Sequence, residues 1–214
     1  MSASYPNVNA PKGFIPTRFF SGGSYDGRHL LYLIPAADGT AVFVGDVVKS
    51  NNIAAAAGVF VNGMNCEGMP TAIRVAAGTA GQDIVGVVVG FLPDPTSLGT
   101  KHRLALTNRI AMVAPAHDVV YEVQEDADTT PLAAADIGLN IQFTTTAGST
   151  ATGVSAMELD SSSKAATAAF PLRILGLVQR PDNSFNTLGS TLDKAKFEVM
   201  FNTYFHAPNI VGIA

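Results

Sequence analysis

No stretch of this sequence repeats apolar residues at helical spacing for as long as a dozen residues. That confines the chain to β structure. Short apolar runs are instead separated by clusters of Gly, Pro, Asn, Asp and Ser about every ten residues, the rhythm of strands joined by turns. Strands are predicted over His29–Ile34, over Ala41–Lys49 with a bend at Gly45, and over Thr71–Ala76 and Ile84–Leu92, the last two linked through Ala77–Gly81. Ile84–Leu92 is β-branched and almost uninterrupted, as in a strand covered on both faces. Val119, Tyr121 and Val123 alternate with Val120, Glu122 and Gln124, the period of a half-buried strand. Gly138–Thr146, Gly153–Leu159 and Phe170–Arg180, interrupted at Gly176, follow. Ala195–Phe205 alternates most cleanly, with Phe197, Val199, Phe201, Thr203 and Phe205 on one face. Leu132–Asp136 and Lys164–Ala169 could each form a turn or two of helix. The expected fold is all-β, a jelly roll or related β-barrel or sandwich.

The first twenty residues differ from the rest. Pro6, Pro11 and Pro16 each remove a backbone donor and hold the preceding residue extended, so this segment cannot be an interior strand. Phe14, Ile15, Phe19 and Phe20 are out of place in a solvated tail. The expected organisation is an extended N-terminal arm, residues 1–20, docked on a neighbouring subunit through Tyr5, Pro11, Phe14, Ile15, Arg18, Phe19 and Phe20. Residues 21–214 are expected to form one body, with two lobes meeting near residues 93–108.

Composition narrows the function. Of 214 residues, 47% are hydrophobic but only 14% are charged, against roughly 25% in an average globular chain. A surface so poor in charge suits a subunit much of whose exterior meets other protein. The net charge is −4, and the only basic bias is Lys12 and Arg18 in a first segment without acids. Nucleic acid and anionic membrane are therefore not expected partners. The longest apolar run, beginning at Ile84, has about half of the ~20 residues a membrane span needs. Met1–Asn7 has no apolar leader, which predicts a protein made in a cytoplasm.

Patterns that carry chemistry are weak throughout. His29, His102, His117 and His206 are not spaced to share a metal, and Cys66 is the only cysteine. Gly153-Val154-Ser155-Ala156-Met157 lacks the second glycine of a nucleophile elbow. Gly78-Thr79-Ala80-Gly81 is too short for a phosphate cradle. Residues 118–136 hold Asp118, Glu122, Glu125, Asp126, Asp128 and Asp136 with no Lys or Arg. Asp126-Ala127-Asp128 opens like a calcium loop, but Pro131 and Ile137 stand where the loop needs Gly and Glu. The expectation is therefore no metal, no cofactor and no enzymatic activity, with Glu125, Asp126 and Asp128 a candidate charged contact.

Several phrases together resemble the virion structural proteins of tailed bacteriophages. The opening Tyr5-Pro6-Asn7-Val8-Asn9-Ala10-Pro11-Lys12-Gly13-Phe14, followed by Ser21-Gly22-Gly23, is one. Val44-Gly45-Asp46-Val47-Val48-Lys49 and Ile84-Val85-Gly86-Val87-Val88-Val89-Gly90 resemble a first lobe of such proteins. Tyr121–Asp126, Asp136-Ile137-Gly138 and Leu172–Asn183 resemble a second, and the ending Phe197–Asn202 with Tyr204 and His206 matches too. The resemblance implies a cement or decoration protein on the outer surface of a DNA-filled head. It would clamp major capsid protein subunits as a homodimer or homotrimer, without enzymatic activity or cofactor. The alternative is a tail or spike module that binds host glycans. The absence of Trp counts against that alternative, although five tyrosines are present.

Overall fold

The computed structural model describes residues 7–76, 83–95, 97–128, 130–186 and 193–205. It is all-β, as expected. The chain enters at β1 (Ile15–Phe19) and then builds a closed barrel from β2 (Leu30–Ile34), β3 (Val47–Ala54), β6 (Pro70–Arg74), β7 (Ile84–Phe91) and β8 (Arg109–Pro115). A small hairpin, β4 (Phe60–Val61) and β5 (Met64–Asn65), is inserted between β3 and β6. The chain then returns to β1 and adds β9 (Val119–Gln124), β10 (Asn140–Phe143), β11 (Leu159–Ala165), β12 (Leu172–Leu177) and β13 (Lys196–Phe201). These make a six-stranded antiparallel sheet in the order β1-β9-β13-β12-β10-β11. The barrel runs β2-β6-β3-β7-β8 and closes through a parallel contact of Leu33 with Thr71.

Side-chain alternation sorts the barrel residues into three groups. Tyr32, Ile34, Val48, Val85, Val88 and Val113 cluster together and fill the barrel. Leu33 and Ile110 pack instead with Ala55, Val61 and Cys66, under the flap that carries the β4–β5 hairpin. Val47, Ile84, Val87 and Ala114 join Tyr121, Phe197, Val199 and Phe201 in the core between barrel and sheet. β7 is thus covered on both faces, as its unbroken apolar run predicts. It serves both faces because the β3–β7 register shifts opposite Gly86. A Cβ on Gly86 would collide with the Ala114 carbonyl oxygen, so only glycine fits this irregularity.

The chain passes between sheet and barrel at residues 20–29, from β1 to β2, and at residues 116–118, from β8 to β9, whereas the sequence reading has the lobes meeting near 93–108. Residues 93–108 connect β7 to β8 within the barrel lobe. The turn residues there mark a long loop, and the Arg103 side chain ties it to its own lobe. The predicted strand Ala41–Lys49 begins only at Val47, because Gly45 turns the chain at φ +94°. Residues before it make single bridges, Val42 with Arg103 and Val44 with Val154. The strand expected over Gly153–Leu159 forms instead over Leu159–Ala165, which includes three serines, so the helical turn expected at Lys164–Ala169 is replaced by a strand end. Leu132–Asp136 does turn, as a 3-10 segment over Ala134–Asp136. Ala77–Gly81 lies outside the described residues.

The alternation of the last strand holds over Phe197, Val199 and Phe201, all at most 1% exposed. Phe205 leaves the sheet and packs against the barrel, its N–H donating to the Ile84 carbonyl at 2.8 Å. Phe201 stacks on Phe14 with ring centroids 5.9 Å apart and meets Tyr121 edge-on. Phe201→Ala should therefore cost about 3–5 kcal/mol of stability. Glu198→Ala removes only a partly exposed pair with Arg18 and should cost less than ~1 kcal/mol. Chemical denaturation of both variants checks this; equal small effects would show the wrong face to be buried.

Candidate functional site

The N-terminal segment is the first element to place. Residues 7–19 pack on their own body, with β1 a strand of the sheet and Phe14 in the core, where the sequence reading expects a separate extended arm. The Asn7 side chain donates to the Ser184 carbonyl at 2.8 Å and accepts from its N–H, while the Asn7 N–H donates to Asp193. Phe14 is 1% exposed and packs against Tyr121, Phe143 and Phe201. It reaches them because the chain crosses the barrel at two glycines. A Cβ on Gly13 would collide with the Gly45 carbonyl, and one on Gly45 with the Lys12 carbonyl. β1 then pairs with β9 at the sheet edge, where Pro16 is tolerated. Arg18 binds Glu198 through two nitrogens, at 2.7 and 3.4 Å, and Phe19 is buried. Pro11 is half-buried, and Tyr5 lies outside the described residues. Of the expected partner-binding side chains, Ile15 and Phe20 are exposed large hydrophobics.

The acidic stretch also sorts differently from expectation. Glu125 is fully buried and cannot be a charged contact. Its carboxylate accepts the N–H groups of Leu132, at 2.8 Å, and Ala195. It sits where the sheet curls back on itself, at the parallel bridge of Glu125 with Leu159. Burial pushes its pKa up to about 7, against the pull of those two N–H groups. Asp126 accepts both the N–H and the hydroxyl of Ser161, and Asp128 accepts the same hydroxyl. Asp160, from β11, joins them in a group whose carboxylate oxygens lie within 4.8 Å of one another. Three such oxygens are the kind of ligand a hard divalent cation takes, although calcium needs roughly six to eight. Sequence spacing could not reveal the group, because the curl of the sheet brings Asp160 to the other two. Among the described residues it is the only group of three metal-ligating side chains.

The exposed apolar side chains are the third feature. Ile53, Phe60 and Met64 stand out from the flap, with Phe60 62% exposed. Asn62 and Gly63 turn the β4–β5 hairpin at φ +53° and +80°. The Asn-Gly pair is a strong hairpin signal, and reading the sequence for it would have found this element. Leu98, Leu104 and Leu106 stand out from the 93–108 loop, with Leu106 69% exposed. The hairpin turn meets that loop directly, the Asn62 amide donating to the Pro93 carbonyl at 2.6 Å.

The loop is held by two buried arginines. Arg103 is fully buried and donates to the carbonyls of Pro35, Asp38, Thr40 and Thr107 at 2.6–2.8 Å. Arg109 donates to the carbonyls of His102 and Thr100 and lies over the Phe91 ring. His102 stacks on Phe43 at 4.8 Å, and burial beside Arg109 lowers its pKa. Leu106 adopts φ +60°, a costly conformation for a branched side chain. Such strain persists where surrounding structure imposes it, often at functional surfaces.

Two clefts flank the N-terminal crossing. One, of about 360 Å³, is lined by Lys12, Glu122, Gln124, Arg180, Asp182 and Lys196 and is strongly charged. The other, of about 350 Å³, is apolar and is lined by Phe14, Ile15, Tyr25, Val44, Val88 and Val154, among others. No known protein family, curated protein or solved structure matches this chain.

Two measurements follow from these placements. Phe14→Ala should destabilise the free protein by about 3–5 kcal/mol; a melting temperature unchanged from wild type would show that the segment does not belong to the core. For Glu125, the raised pKa means that the folded state holds a proton the unfolded state releases. Its stabilising contribution is complete below the ordinary value of 4.5 and is lost as pH rises to about 7. The stability of wild type relative to Glu125→Gln should therefore fall between pH 4.5 and pH 7. A difference that stays flat across that window would refute the burial of this charge.

Proposed function

We propose that the protein is a cement, or decoration, subunit that sits on the outer surface of a tailed-phage head and clamps neighbouring major capsid protein subunits. The observation that carries this reading is the set of apolar side chains presented outward on braced loops, Leu104 and Leu106 beside Arg103 and Phe60 on the hairpin. Exposed apolar groups fixed in place favour contact with protein, because little side-chain or loop entropy remains to be lost on docking. The sparse surface charge supports the same reading, as does the resemblance of the sequence phrases to virion proteins. In this reading the partners are the major capsid protein and further copies of the chain. Neither nucleic acid nor membrane takes part, and no catalysis is involved. Many copies with individually modest contacts would resist outward pressure collectively.

Heads assembled without the protein, mixed with purified chain and sedimented, test this directly. Wild type should bind in hundreds of copies per head, roughly as expected for a shell-wide lattice of contacts. A Phe60→Asp, Leu106→Asp double variant should lose about tenfold or more in affinity, since side chains at the centre of an interface carry most of its energy. Its melting temperature should stay near wild type. Binding of the wild-type chain only at the tail, in a few copies, would overturn the proposal in favour of an adsorption module.

A further inference from the structure

We infer that Lys194 and Gln124 become joined by a self-catalysed isopeptide bond, with Glu158 as the proton carrier. One carboxylate oxygen, Glu158 Oε1, accepts from both nitrogens concerned: Lys194 Nζ at 3.0 Å and Gln124 Nε2 at 2.6 Å. Glu158 Oε2 lies 3.3 Å from the same Nζ. The amine and the carboxamide nitrogen therefore share a single acid–base group. Gln124 and Glu158 are buried and the Lys194 side chain is only 14% exposed, at the inner wall of the charged cleft that Gln124 lines.

The carboxamide is also fixed in orientation. Its Oε1 accepts the Ala10 N–H at 2.8 Å, and its Nε2 donates to Asn9 Oδ1 at 3.0 Å as well as to Glu158. The oxygen on which negative charge develops thus already faces a backbone donor. Strand register sets up the encounter. Lys196 lies directly opposite Gln124, and Lys194 stands two residues before it, in the lead into β13.

The step balances without any outside reagent. Glu158 takes a proton from the Lys194 ammonium, and the free amine attacks Gln124 Cδ. The resulting oxyanion on Oε1 is held by the Ala10 N–H. Glu158 passes its proton to Nε2 and takes a second one from Nζ. The Cδ–Nε2 bond then breaks as the Nζ–Cδ amide is completed. The departing ammonia collects the second proton and leaves as ammonium, and Glu158 is again a carboxylate. Nothing is oxidised or reduced. Positioning by the fold replaces a bimolecular encounter, which is why so slow a reaction between an amine and an amide becomes accessible. The product ties β9 to the lead into β13 beneath residues 9 and 10, at the place where the N-terminal segment is anchored. The inference does not depend on the role proposed for the protein.

Intact-mass measurement of the purified full chain decides it. The expected mass is lower than that of the sequence by one ammonia, and a protease digest should give a branched peptide containing both Gln124 and Lys194. Lys194→Arg and Glu158→Gln should each restore the missing ammonia. If these variants do not fold, the branched peptide from wild type still decides. A wild-type chain at full sequence mass after prolonged incubation at neutral and mildly alkaline pH overturns the inference. So does an ammonia loss that fragmentation places elsewhere, for example at Asn62 before Gly63.

Discussion

Within the apolar core shared by barrel and sheet, one buried carboxylate fixes how the two are joined. Asp46 is fully buried and accepts Ser155 Oγ at 2.6 Å, Arg74 Nε at 2.8 Å and the Phe43 N–H at 2.9 Å. Arg74 extends the link to the carbonyls of Thr145 and Thr146. Asp46 thus joins the lead into β3, the end of β6 and the single connection between β10 and β11, which it meets directly at Ser155 and through Arg74 at Thr145 and Thr146. Burial pushes the Asp46 pKa up, and the Arg74 charge with three hydrogen bonds opposes that push. A buried ion of this kind contributes little net stability while its partners are in place, and removal of one partner is far more costly. The same contact positions Gly45, over which the N-terminal segment crosses with the Phe14 N–H on its carbonyl at 3.0 Å. The aromatic cluster of Phe14, Tyr121 and Phe201 is therefore assembled downstream of Asp46.

Arg103 does for the exposed loop what Asp46 does for the core. Its guanidinium supplies donors to four carbonyls that have no strand partners, so a long irregular connection is held without secondary structure. A lysine has one compact charge and could not span the same four acceptors. The loop's rigidity gives meaning to its exposed leucines. Leu106 stands outward at φ +60° with its N–H on the Asp38 carbonyl. The contact surface proposed for this rim rests on that bracing.

How much of this was legible follows from what each element depends on. Strands with a two-residue period or an unbroken β-branched run, such as Val119–Gln124, Ile84–Phe91 and Lys196–Phe201, can be read directly, because burial on one or both faces leaves its pattern in the residues. Leu159–Ala165 could not be read in this way. Its Ser161, Ser162 and Ser163 belong to a strand because neighbours supply partners, above all Asp126 for Ser161. The proline spacing in the N-terminal segment correctly excluded an interior strand. It could not say whether the apolar residues between the prolines meet the chain's own body or another one, and that depended on Gly13 and Gly45 meeting across more than thirty residues. Glu125 reads as part of a candidate charged contact for the same reason. Its distinguishing contacts, Leu132 and Ala195, are set by the curl of the sheet and leave no local signature.

Chain order adds a constraint of its own. The barrel strands are contiguous, from Leu30 to Pro115, so the barrel can close once that stretch is made. The sheet cannot, because its β1-β9-β13 edge joins the first strand of the chain to the last. Pairings across so much sequence are the costliest to close, since the entropy of closing long loops is lost before the contacts that offset it are made. The apolar outer wall of β3, β7 and β8, built from Val47, Val87 and Ala114, must stay uncovered until they close. Phe14 and Phe201 enter that wall from opposite ends of the chain and meet each other on it. The N-terminal segment therefore acts as the closing piece of the fold, and its anchor at Asn7, Asn9 and Ala10 fixes the last strands in place.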